Sequence, residues 1–93
     1  MKVYGTIIVD KVKYNVEAIS TRQISKYGIN GGKVTTLIVW KPKADVFFDE
    51  VYTARPVICY KHGVWQTEEP KPGTPEDDIL QTALACVEIE VRR

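Results

Sequence analysis

Residues 2–20, KVYGTIIVDKVKYNVEAIS, decide the fold. Val3, Gly5, Ile7 and Val9 alternate with Lys2, Tyr4, Thr6 and Ile8, and Val12, Tyr14, Val16 and Ala18 alternate with Lys13, Asn15 and Glu17. A period of two is the signature of a strand with one face turned to a core. Asp10 and Lys11 stand between the runs, enough residues for a tight reversal, although Asp-Lys is a weaker turn signal than Asp-Gly. Residues 1–20 are therefore expected to form a β-hairpin.

Outward from the hairpin, residues 21–33 are polar, glycine-rich and without a helical stripe, so they read as an irregular connection, a type of segment that often carries function. KVTTLIVW, residues 33–40, is dense in β-branched and aromatic residues and predicts a third strand buried at Leu37, Ile38 and Val39 and ended by Pro42. Two more extended segments are expected around 46–52 and 57–60, with Pro56 placing their join at a strand start or edge. Residues 34–65 thus hold the remaining strands, and the proline-rich stretch 66–74 reads as a surface linker. At Thr74 the chain changes character: a hydroxyl to accept an orphan amide, Pro75 at the first helical position, then Glu76, Asp77 and Asp78 against the positive end of a helix dipole. Ile79, Leu80, Ala83, Leu84 and Val87 form one apolar stripe that needs a sheet to bury it. A C-terminal helix is expected over 75–93, and the period-two ending VEIEVRR leaves open a short strand from near Val87. Together these elements predict one α+β domain: an antiparallel sheet of four or five strands with one C-terminal helix packed on a face.

The 93 residues fit one compact domain, and 44% hydrophobic with 27% charged residues is the composition of an ordinary globular protein. No apolar run approaches the roughly 18 residues of a spanning helix, so no membrane partner is expected. Asp10 and Lys11 follow the first apolar segment where a leader peptide would need small residues, and two cysteines are too few for a disulfide scaffold. Both thiols are expected to be reduced and the protein cytoplasmic. Charge is uneven: residues 21–65 carry seven Lys or Arg against three acids, and residues 66–93 three against seven. Such a split marks either a polyanion-binding face or two complementary surfaces within the fold, and the latter is the simpler reading.

SKYGINGGK, residues 25–33, invites comparison with a phosphate-binding loop. That motif needs Gly where Tyr27 stands and Ser or Thr where Val34 stands, and it opens a helix, whereas a strand follows here. Asn30, Gly31 and Gly32 instead suit a tight turn with positive φ. A single histidine, His62, and two serines make a nucleophilic relay improbable, and Cys59 with His62 falls short of the four ligands of a closed zinc site. No catalytic residue, metal or cofactor is expected. Aromatic and basic residues do interleave, at Lys13–Tyr14, Lys26–Tyr27, Trp40–Lys41 and Tyr60–Lys61. Such pairs either stack bases and neutralise phosphates or belong to the rim of a small core.

The segments YGTIIVD, VEAIS, SKYGINGGKVTTLIVW and ICYKHGVW, followed by a proline-containing stretch and a helix, resemble a family of small bacteriophage and prophage proteins. Its pattern of Ser-x-Tyr-Gly-Ile-Asn-Gly-Gly, a basic residue and a strand, then Tyr-x-x-Gly-Trp, is met by Ser25, Tyr27–Lys33, Tyr60, Gly63 and Trp65. Two departures are Lys61–His62, where the family has Asp-Arg, and a longer connection over 43–55. The resemblance implies an accessory phage protein and supplies no activity. In that context the expected role is non-catalytic binding that inhibits a host protein, such as a defence-system component.

SKYGINGGK and YKHGVW are expected to meet at one end of the sheet, with Tyr27, Asn30, Lys33, Tyr60 and Trp65 as contact residues, because loops on strand ends carry function and Tyr and Trp dominate interface energy. The alternative is a single-stranded nucleic-acid-binding surface built from Tyr27, Lys33, Lys41 and Lys61.

Overall fold

The alternation read from residues 2–20 becomes a hairpin in the computed structural model, which describes residues 1–41 and 56–92. Strand β1 (Lys2–Val9) pairs antiparallel with β2 (Val12–Ser20) in a register running from Lys2 opposite Ile19 to Val9 opposite Val12. Asp10 and Lys11 hold φ of 50° and 66°. Positive φ at both central positions is the geometry whose twist matches the flanking strands, so Asp-Lys adopts it despite lacking the usual glycine. Strands β3 (Val34–Trp40), β4 (Ile58–Lys61) and β5 (Val64–Trp65) follow in chain order to give a five-stranded antiparallel meander. The fifth strand observed is Val64–Trp65; the extended segment expected around 46–52 lies outside the described residues.

The pleat sorts the side chains. Val3, Ile7, Val16, Ala18, Leu37, Val39, Ile58 and Tyr60 share one face and are buried. Ile38 differs from expectation: it is half-buried, because its neighbours Leu37 and Val39 take the core face and adjacent strand residues point opposite ways. The lid on the core face is the helix α1 (Pro75–Arg92), which buries Ile79, Leu80, Ala83 and Val87, with Leu84 partly covered. Gly5 lets it come close, since a Cβ there would lie 2.7 Å from Cys86 Sγ.

The helix starts as the sequence predicts. The Asp77 amide donates to Thr74 Oγ1 (3.3 Å), while the same hydroxyl donates to the Lys71 carbonyl (2.6 Å). At the other end the alternative between helix and strand resolves to helix through Arg92. Val87 and Val91 keep the four-residue spacing, and Arg92 pairs with Glu88 one turn back (2.5 Å). Among the described residues no helix is long and apolar enough to cross a membrane, and neither cysteine is in a disulfide. On the open sheet face Lys2 pairs with Glu17 at 3.2 Å. Hydrogen bonding to the Tyr4 side chain, and then to Glu17, holds the Lys2 ammonium above its ordinary value. A raised lysine contributes fully below its ordinary pKa and is lost only as pH rises through the raised one, and an exposed pair of this kind contributes little in any case.

Candidate functional site

The glycine-rich connection is tied at its base. The Thr21 amide donates to the Lys33 carbonyl (2.8 Å) and the Ser25 amide to the Gly32 carbonyl (3.0 Å), closing residues 21–33 into a loop. Inside it the Tyr27 amide donates to Ser25 Oγ (3.1 Å), and Ile29 turns inward to plug the core. Ile29–Gly31 make one 3₁₀ turn in which Asn30 and Gly31 have φ of 55° and 70°. Gly32, expected to share that conformation, has φ −94°. The glycine constrained by space is Gly28: a Cβ there would collide with the Gly32 carbonyl.

YKHGVW is the β4–β5 hairpin, with His62 and Gly63 at φ 45° and 90° in its turn. The His62 amide donates to the Thr35 carbonyl (2.7 Å), which holds the turn beside the start of β3 and therefore beside the glycine loop. The two segments touch directly. Tyr60 Oη donates to the Tyr27 carbonyl (2.7 Å), and the Tyr27 ring stacks on His62 with centroids 4.1 Å apart and planes inclined by 24°. Gly63 makes room for that ring, since a Cβ there would sit 3.0 Å from Tyr27 Cδ1. Lys26 Nζ lies 5.0 Å from the Tyr27 centroid, and Tyr60 meets Trp65 edge to face at 4.9 Å.

The five residues singled out from sequence divide by depth. Asn30 and Lys33 are exposed, Tyr27 and Trp65 half-buried, and Tyr60 is only 6% exposed with its hydroxyl engaged inside the fold. Tyr60 thus supports the surface from beneath. Asn30 stands between two clefts. One, of about 420 Å³, has an apolar wall of Ile29, Val34, Leu84, Val87 and Val91 with Lys33, Glu88 and Arg92 also lining it. The other, of about 690 Å³, runs past Trp65 to Glu68, Lys71 and Gln81. The last turns of α1 and the linker therefore border the site, which sequence reasoning did not foresee because nothing local says where a distant helix ends. His62 was also missed as a stacking partner; its only signal was its place before a glycine beside Tyr60. Of the alternative nucleic-acid set, Lys61 adjoins the His62 turn and Lys33 precedes β3, but Lys41 follows β3 and so lies at the opposite end of that strand.

The groups gathered here can engage in stacking, hydrogen bonding and charge attraction. His62 faces Tyr27, Cys59 is buried in β4, and among the described residues no three His, Cys, Asp or Glu side chains converge as a metal site would need.

Residues 1–89 match the model of a family described as Domain of unknown function (DUF7678), and the chain belongs to that family. No curated protein and no solved structure matches the chain.

Proposed function

We propose that this protein acts by binding, without catalysis, a partner protein at the end of the sheet where Tyr27 stacks on His62. The observation that carries the reading is that stack, together with the Tyr60 hydrogen bond that fixes it. Two segments far apart in sequence are locked so that aromatic faces, an exposed Asn30 and the cations Lys26 and Lys33 share one rigid support. Rigid aromatic anchors lose little entropy on binding and dominate interface energies. The lysines suit a partner with acidic side chains at its rim, where opposite charge speeds encounter. Tyr27, Asn30, Lys33 and Trp65 are the contact residues and Tyr60 their support. In the phage-type setting implied by the resemblance in sequence, the partner is a host protein, such as a defence component, and binding inhibits it.

The test is capture from a bacterial host lysate with the immobilised chain. One stoichiometric protein is expected, lost with Lys33→Glu, an exposed change that stays within about 1 kcal/mol of the parent stability, and with Tyr27→Ala, a half-buried change whose variant is first shown by thermal melting to remain folded. Capture unaffected by both substitutions would overturn the reading. A second reading, single-stranded nucleic acid, is favoured by Lys26 lying over the Tyr27 ring, an arrangement of stacking platform and cation that suits bases and phosphates. Its mark is oligonucleotide affinity that falls steeply with salt and depends on Tyr27, Lys33 and Lys61 but not on Lys41.

A further inference from the structure

The two edges of the sheet are unlike. At β5 the strand is two residues long and runs into a bulge against β4: the Gln66 and Thr67 amides both donate to the Cys59 carbonyl (2.8 and 3.3 Å), and the Cys59 amide donates to Thr67 Oγ1 (3.0 Å). That edge is blunted. At β1 the edge runs eight residues, Lys2–Val9, with no proline and no charge between Val3 and Val9, and the only register shift in the described ladders is in β2. Among the described residues no strand pairs with its outer side. The two-residue turn makes Val9 and Val12 a hydrogen-bonded pair, so by alternation Val3, Gly5 and Ile7 also bond to β2. Lys2, Tyr4, Thr6 and Ile8 therefore direct their backbone N–H and C=O groups outward. Natural sheets rarely leave so long and apolar an edge unguarded.

We infer that β1 is the pairing edge of a twofold dimer, in which β1 of one copy lies antiparallel to β1 of a second, with Thr6 opposite Thr6 at the axis. The strand is self-complementary in this register. Tyr4 falls opposite Ile8 of the second copy, an aromatic–β-branched pair, and Thr6 opposite Thr6, a hydroxyl pair; both are stabilising cross-strand combinations. Lys2 falls alongside Asp10 of the second copy, so the only charges from Lys2 to Asp10 meet their opposites. Sliding by one step to centre on Gly5 would set Lys2 against Ile8 instead. On the core face Gly5 meets Ile7, small against large.

Exposure agrees with the assignment. Tyr4 is 61% exposed and Ile8 69%, both large apolar side chains on this edge. Beside the edge runs a groove of about 320 Å³, lined by Ile7, Ile8, Thr82, Ala85, Cys86 and Ile89 among others, and Ile89 is 57% exposed. Thr82, Ala85 and Ile89 lie on one face of α1, so the twofold brings two such faces toward each other, with side chains small enough at Thr82 and Ala85 for helices to approach. Because the opposite edge is blunted, the pairing closes at two copies and does not propagate into a fibre.

Sedimentation equilibrium over a concentration series tests this. The expected species at high concentration has twice the 10.6 kDa mass of one chain. Thr6→Lys sets like charges opposite each other and should weaken association about tenfold or more, and so should Thr6→Glu, while an equimolar mixture of the two variants should associate again. A wild-type chain that stays at 10.6 kDa throughout, or variants that associate as the parent does, or a mixture that fails to recover, overturns the proposal. Hydrogen exchange on the wild-type chain decides the matter even if a variant does not fold. The amides of Tyr4, Thr6 and Ile8 should gain protection as concentration rises, and rates independent of concentration would refute the pairing.

Discussion

Gly28 and Gly31 sit three positions apart in the same loop and need to be glycine for opposite reasons. Gly31 has φ of 70° and open space where a side chain would go. Gly28 has an extended backbone that any residue adopts, φ −75° and ψ 145°, but the Gly32 carbonyl occupies the place of its side chain. Strain in a dihedral is limited to about 1–2 kcal/mol, whereas overpacking costs about 1–3 kcal/mol and occasionally more, and a Cβ placed 1.9 Å from a backbone oxygen belongs at the upper end because the loop must open. Gly28→Ala should therefore lower the urea midpoint more than Gly31→Ala, and the reverse order would show that the loop yields freely. The distinction was invisible in SKYGINGGK. A sequence shows that glycines cluster; which of them answers to φ and which to a neighbouring chain depends on how the loop closes on itself.

For the helix, depth of burial sets the outcome. Val87 and Leu84 both line the cleft beside Lys33, but Val87 is 1% exposed whereas Leu84 is only half-buried. A carboxylate at a fully buried position costs several kcal/mol, comparable to the whole margin of a small domain, and one on a half-buried side chain reaches solvent. Val87→Asp should abolish the cooperative thermal transition, whereas Leu84→Asp should lower its midpoint and leave it cooperative. Loss of folding in both would mean the cleft is closed in solution. The start of this helix was fully legible, because capping by Thr74, the proline and the three acids are local chemistry. Its end was not: VEIEVRR satisfies the period of a strand as well as that of a helix, and only the packing of Val87 and Val91 on the sheet decides between them. Leu84 was read as equal to Val87 for the same reason, since spacing locates a face without measuring how deeply each residue on it is covered.

Across the whole molecule, what could be read were the neighbour-to-neighbour relations: the hairpin of residues 2–20, the third strand and the α+β layering. What could not be read were meetings between distant residues, such as Gly5 with Cys86, Tyr27 with His62, and the border that α1 gives to the Asn30 clefts. The meeting of Tyr27 with the YKHGVW hairpin was anticipated from their common place at strand ends, though the ring that Tyr27 stacks on was not. This division follows from the topology. The sheet order repeats the chain order, so the pairings among described strands join sequence neighbours, whereas α1 must return from the opposite end of the chain to cover β1. Seen as a sequence of events in time, the meander assembles through short loop closures, and docking of the helix pays the largest loop-closure entropy and comes last. Val16→Ala should then slow refolding, while Val87→Ala should leave refolding nearly unchanged and accelerate unfolding, as stopped-flow mixing at low chain concentration would record. Equal slowing by both would mean that the helix is already seated at the barrier, and that the two ends of the chain find each other before the strands between them are in place.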